Sequence, residues 1–107
     1  MRIDYVYKIC TDEDWNKFKQ NKFWKGSKKD IEDGFIHLSS KEQVNLTLKR
    51  YFNNQENLIL LTVKTENLEN LVWEKSTNGE NFPHLYSNLQ IENVLDSKEI
   101  IGGQHLF

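Results

Sequence analysis

The sequence predicts a small α+β domain, and three observations carry that prediction. At 107 residues the chain is near the common size of one domain, so residues 1–107 are read as a single domain. Short runs rich in β-branched and aromatic residues recur along it, separated by brief helical patterns. Their order is irregular and not a steady strand–helix alternation, which disfavours a doubly wound parallel sheet. With 37% hydrophobic and 12% aromatic residues, large rings must supply much of the core area.

The elements follow in chain order. Ile3 to Cys10 (IDYVYKIC) reads as the first strand. Thr11 is placed to cap a helix whose first turn carries Asp12, Glu13 and Asp14. Trp15 and Phe18, at i and i+3, share its apolar face. Asn21 to Lys29 reads as a loop. There Lys25, Lys28 and Lys29 are followed at once by Asp30, Glu32 and Asp33, a pattern that reads as a solvated loop and not a phosphate track. Phe35 to Leu38 is a short strand after a turn at Asp33-Gly34. Ser40 and Gln43 have capping-box spacing, so a second helix should begin there, with Val44, Leu48, Tyr51 and Phe52 as its apolar stripe.

Asn53 to Asn57 is a polar turn, and Leu58 to Val63 (LILLTV) is a strand apolar on both faces. Glu66 to Leu71 reads as one helical turn, Leu71 to Glu74 as a strand, and Ser76 to Asn81 as a turn. Phe82 to Tyr86 is extended, because Pro83 excludes Phe82 from the helical region. Ile91 to Leu95 is a short helix or turn, and Glu99 to Ile101 a strand broken by Gly102-Gly103.

Several function classes fall away on composition. A net charge of -2 argues against a broad nucleic-acid surface, which needs a cationic excess. The single cysteine, Cys10, forms no internal disulfide and is expected to be a buried, inert thiol. The N-terminus lacks the apolar run of a signal peptide, and no stretch approaches the roughly 18 apolar residues of a membrane span. A soluble, cytoplasmic protein is expected. Oligomeric state is left open. There is no H-x-x-x-H, C-x-x-C, P-loop or G-x-G-x-x-G.

The chemistry rests on histidines. The chain has 3, each followed by leucine: His37, His84 and His105. In an extended segment side chains alternate between faces. Phe35, His37 and Ser39 then share one face, with Ile36 and Leu38 on the other, core-facing side. The second phrase repeats the parity, with Phe82, His84 and Tyr86 opposite Pro83 and Leu85. A ring, an imidazole and a phenol suit a flat, polar ligand. The helix start near Ser40 adds unpaired backbone N–H groups that can receive an anion. Glu74, beside Trp73 at a strand end, is the acid to watch, although spacing alone favours a surface carboxylate paired with Lys75 or another lysine. A zinc site on His37 and His84 would need further ligands. His105, in the tail, is expected to be structural or exposed.

Taken in order, Tyr7-Lys8-Ile9, the acidic approach to Trp15, Gly26, Asp33-Gly34-Phe35-Ile36-His37-Leu38-Ser39, Gln43-Val44, Leu58, Leu61 and Val63, Trp73-Glu74 and Phe82-Pro83-His84-Leu85-Tyr86 resemble the DUF952 family of small bacterial proteins. The resemblance runs from about Tyr7 to Leu95. It implies a fold similar to that of ADP-ribosyltransferases: a split, mostly antiparallel β-core flanked by helices, with a cleft that in those enzymes holds NAD. It also implies a departure, since many relatives carry histidine where this chain has Lys8.

The expected function is then a nucleotide-binding domain, with NAD as a candidate cofactor and ADP-ribosyl transfer as a candidate reaction. Lys8 and His37 would hold phosphates or ribose, Ser39, Ser40 and the following helix start would donate hydrogen bonds, and Tyr86 with Trp73 would line the ligand. Glu74 would stabilise an oxocarbenium-like centre, with His37 and His84 beside it. The rival is a non-enzymatic module that captures a small ligand or peptide. The two differ in whether a correctly aimed carboxylate lies in the cleft.

Overall fold

The structure is a computed structural model that describes residues 4–76 and 79–101. The expectations placed on Gly102-Gly103 and His105 lie outside the described residues. Every strand pairing in it is antiparallel. The first sheet has the order β1 (Tyr5–Thr11), β4 (Leu58–Lys64), β8 (Val94–Ile100). The second has the order β3 (Ile36–His37), β6 (Asn81–Leu85), β5 (Leu71–Lys75). A two-stranded ribbon joins β2 (Phe23–Trp24) to β7 (Leu89–Gln90). The helices are α1 (Asp12–Asn21), α2 (Lys28–Asp33) and α3 (Val44–Tyr51). The chain is thus an α+β protein built on antiparallel sheets with few helices.

β4 is central to the first sheet and buried on both faces, as its continuous apolar run requires. Ile59, Leu61 and Val63 join Val6 and Cys10 of β1 in an inner core that also holds Phe18, Trp24, Ile36, Leu38, Leu85 and Leu89. Leu58 and Leu60 face the other way, with Tyr7 and Ile9, under Val44, Leu48 and Phe52. α1 closes the inner core through Phe18, which is fully buried, while Trp15 packs against it edge-on at 5.5 Å. Its N-terminus is fixed as expected, with the Thr11 hydroxyl accepting from the Asp14 N–H at 3.1 Å. Burial pushes the Cys10 thiol up to about 12, which makes it inert.

Four elements differ from expectation. The segment read as a solvated loop contains α2, capped by Ser27 and closed by Gly34 in the left-handed region. β8 begins at Val94 instead of Glu99, because an exposed edge strand needs polar side chains and so lacks an apolar signature. The stretch after Glu66 forms tight turns with Asn67 and Asn70 at positive φ, not a helical turn. A 3₁₀ turn over Lys41–Gln43 precedes α3, so the α-helix itself starts three residues after the first of them. Among the described residues no helix is long and apolar enough to cross a membrane.

Candidate functional site

Register puts the two histidine phrases side by side. His37 pairs with His84 across β3 and β6, and Val72 pairs with His84 across β6 and β5. Opposed residues of an antiparallel pair share a face. Ile36, Leu71, Trp73, Pro83 and Leu85 therefore form the inner face, and Ile36 and Leu85 are almost completely buried. The outer face carries His37, Val72, Glu74, Phe82 and His84. Phe35 and Tyr86 extend it by one step of the same parity. Phe35 stacks on His84 with ring centroids 4.1 Å apart and lies 4.5 Å from His37 and 5.3 Å from Tyr86. The two imidazoles meet edge-on at 5.8 Å.

Behind His37 lies a buried charged network. Lys8 alternates with Val6 and Cys10 along β1, so strand parity drives its side chain into the interior, where it is 6% exposed. Its ammonium bonds Asp30 Oδ2 at 2.8 Å and the His37 carbonyl at 2.9 Å, and sits 5.7 Å from the Trp24 ring centroid. Asp30, 2% exposed, also accepts from the Ser27 N–H and from the His37 N–H, and its Oδ1 lies 2.6 Å from His37 Nδ1. Burial pushes the Asp30 carboxyl up. The bond from His37, the charge of Lys8, and the bonds from Lys8 and Ser27 outweigh it and hold the carboxyl well below the usual carboxylate range. The other nitrogen of His37, Nε2, is 3.0 Å from Asp33 Oδ2. Gly26 makes room for this arrangement: at φ +104° a Cβ there would stand 2.5 Å from the Asp30 Cβ.

The second network reaches the surface through Glu74 and Tyr86, while His84 itself is buried. His84 Nδ1 is 2.8 Å from Glu74 Oε1, and the Tyr86 hydroxyl donates to that same oxygen at 2.5 Å. The bond from Tyr86, then that from His84, hold the Glu74 carboxyl below its ordinary value, and the bond to Glu74 raises the Tyr86 phenol. An ionised carboxylate only accepts, so His84 Nδ1 carries the proton and Nε2 is the acceptor of the neutral ring. No described residue bonds Nε2 or Glu74 Oε2. A recess of about 240 Å³ adjoins these rings, lined by Phe35, Tyr86, Lys25, Ile31 and Ser87 among others and not by either imidazole. A larger one, about 350 Å³, lies away from the histidines, between α1 and β8.

The expected site residues divide accordingly. His37, Glu74, His84 and Tyr86 come together on one face. Lys8 reaches His37 only from within the core, and its ammonium is occupied by Asp30, so the expected phosphate contact is replaced by an ion pair. Trp73 alternates with Glu74 and therefore packs against the inner core instead of lining the face. Ser39 is 4% exposed; its hydroxyl is 2.9 Å from that of Thr47 and its backbone bridges to Tyr7. The Ser40 N–H is taken by Gln43 Oε1 at 3.0 Å, while Gln43 Nε2 reaches the Asn81 carbonyl. Both serines thus build the entry to α3 and stand apart from the cluster. Asp30 and Asp33 were not anticipated. Their signal was the spacing Ser27-x-x-Asp30 before Gly34, a capping box with the shorter acid, which the structure contains. Among the described residues no group of acids, histidines and cysteine could hold a metal ion.

Comparison with known proteins matches this arrangement to one family. Residues 9–97 match the family model described as a protein of unknown function, DUF952. The crystal structure of protein CC0527 from Caulobacter crescentus is similar at 42% identity and a TM-score of 0.85, covering 89% of this chain and 84% of that one. Its solution structure is similar at 41% identity and a TM-score of 0.80, covering 91% and 84%. No curated protein matches the chain. The matched span contains both histidine phrases and the carboxylate between them, and the chain belongs to the DUF952 family.

Proposed function

We propose that the outer face of the β3–β6–β5 sheet binds a small ligand with a flat ring and performs acid–base chemistry on it through His84. The observation that carries this reading is the shared oxygen of Glu74, which takes both the Tyr86 hydroxyl and His84 Nδ1 and so leaves Nε2 free to accept or return a proton. An imidazole oriented by a carboxylate on one nitrogen and unoccupied on the other has the layout of a general base. Phe35 and Tyr86 offer ring faces for stacking beside it. His37, with Asp30 and Asp33 at its two nitrogens, is a positioning residue that anchors this edge of the sheet.

Within this reading a nucleotide such as NAD is the leading ligand class and ADP-ribosyl transfer the leading reaction, on the strength of the family's resemblance to ADP-ribosyltransferases. Glu74 is the carboxylate that would face an oxocarbenium-like centre. The phosphates would be met by exposed groups such as Lys25 and not by Lys8. The test is a thermal-shift screen with NAD, ADP-ribose and mononucleotides, followed by chromatography for released nicotinamide. A ligand at a hundred times its dissociation constant should add about 2.7 kcal/mol of stability. Tyr86→Ala should abolish that gain without unfolding the chain. Binding with no turnover would favour the non-enzymatic module, and absence of any nucleotide binding would remove the nucleotide reading.

A further inference from the structure

From the hydrogen bonds left unmade on this face, we infer that His84 and Glu74 recognise the hydroxyls of a ring, a sugar or the ribose of a nucleoside or nucleotide, and that any phosphate is met outside this pair. The inference rests on the reading of this face as a ligand site and narrows what the site takes. Glu74 Oε1 is committed to Tyr86 and His84, and its other oxygen has no partner among the described residues. The Glu74 side chain is 39% exposed, so Oε2 is reachable. His84 Nε2 also has no described partner, and no buried side-chain polar atom among the described residues lacks one, so Nε2 touches solvent at the edge of a side chain that is 11% exposed. With Nδ1 donating to the carboxylate, the neutral ring presents Nε2 as an acceptor.

The two open positions beside Phe35 and Tyr86 are therefore both acceptors. The Tyr86 proton, the donor that could have balanced them, is already given to Glu74. The esterified phosphates of a nucleotide present anionic acceptor oxygens and would meet like with like, next to a carboxylate that repels them. Hydroxyl groups supply the missing donors, and a sugar ring or an attached base covers the aromatic faces. The nearby ammonium of Lys8 does not change the balance, because it is buried against Asp30. A ligand ammonium would also donate. An ammonium ligand is the alternative that the cyclohexylamine arm of the titration tests.

The experiment is a titration of the intact chain at about pH 8, above the ordinary imidazole range. It follows the His84 imidazole and Glu74 carboxylate resonances. The probes are methyl ribofuranoside, adenosine, dideoxyadenosine, inorganic pyrophosphate and cyclohexylamine. Adenosine should shift both resonances, and dideoxyadenosine should bind about tenfold more weakly, the loss expected for one hydrogen bond to a charged acceptor. Glu74→Gln should weaken adenosine by a similar factor and leave dideoxyadenosine unchanged. Binding of methyl ribofuranoside as tightly as adenosine supports the inference with a sugar as source; binding of adenosine alone supports it with a nucleoside. Equal affinity for adenosine and its dideoxy form overturns the inference while leaving the ligand site standing. Pyrophosphate or cyclohexylamine shifting the His84 resonance in place of adenosine overturns it as well. No shift with any probe overturns both the inference and the site.

Discussion

His37 and His84 are strand partners on one face, yet the two rings live in different chemistry. His37 is tied on both nitrogens to carboxylates of α2, and one of those carboxylates is anchored to a lysine inside the core. His84 is tied on one nitrogen to a half-exposed carboxylate and has nothing described on the other. The first network runs from the buried Lys8–Asp30 pair out to His37, whose side chain is 33% exposed, and both ring nitrogens are closed. The second holds a buried His84 beside a partly exposed Glu74 and an exposed Tyr86, and has open valences. The contrast teaches that a histidine's role here is set by how many of its nitrogens the fold has already used.

The contrast can be broken most severely at Asp30. Asp30→Ala leaves the Lys8 ammonium buried without its counter-ion and should cost on the order of 3–5 kcal/mol. Chemical denaturation measures it, and Lys8→Met in the same background should recover part of the loss. A midpoint unchanged in Asp30→Ala would show that the buried pair does not hold the sheets together. pH probes the same group without mutation. The Asp30 carboxyl is depressed in the folded chain, so its contribution is fully present above its ordinary value of 3.8 and is lost as pH falls through the lower folded value. Acid unfolding should thus steepen below about pH 4, and Asp30→Asn should flatten that limb.

The histidines themselves should separate next. His37→Asn shortens a side chain that bridges two carboxylates and should cost about 1–3 kcal/mol of stability. His84→Asn should leave the denaturation midpoint closer to wild type and instead abolish ligand binding. If the two variants lose stability equally, the division of labour between the rings is wrong. The smallest effect belongs to Tyr86→Phe. The hydroxyl is exposed, so the midpoint should stay within error, while the Glu74 carboxyl, freed of its leading hydrogen bond, should titrate closer to an ordinary glutamate. Carboxylate NMR reads that shift, and an unmoved titration would remove Tyr86 from the network.

Much of this was legible where local rules and tertiary demands agree. Parity placed Ile36 and Leu38 in the core and set His37, His84 and Tyr86 on the opposite face. The run Leu58 to Val63 announced a strand buried on both sides. Legibility failed where charge and burial part company. Asp30 sits among lysines and acids that favour a solvated reading, and only a fold that brings β1 against α2 reveals why it is buried. Lys8 alternates with Val6 and Cys10, so its inward direction follows from the strand itself. Trp73 shows the same parity at work, since a residue adjacent to the site acid in a strand must point away from it.

Cys10 stands next to Ile9 on β1, its side chain turned into the inner core and sealed at 3% exposure, with its thiol pushed up to about 12. Alkylating reagents react with thiolate, and the folded chain presents almost none. Modification must therefore wait for β1 to leave β4, and its rate counts those departures. The lone sulfur thus acts as a built-in clock for opening of the first sheet, readable by mass spectrometry of the alkylated chain without denaturant. A ligand seated on the outer face of the second sheet would slow that clock only to the extent that the two sheets open as one unit.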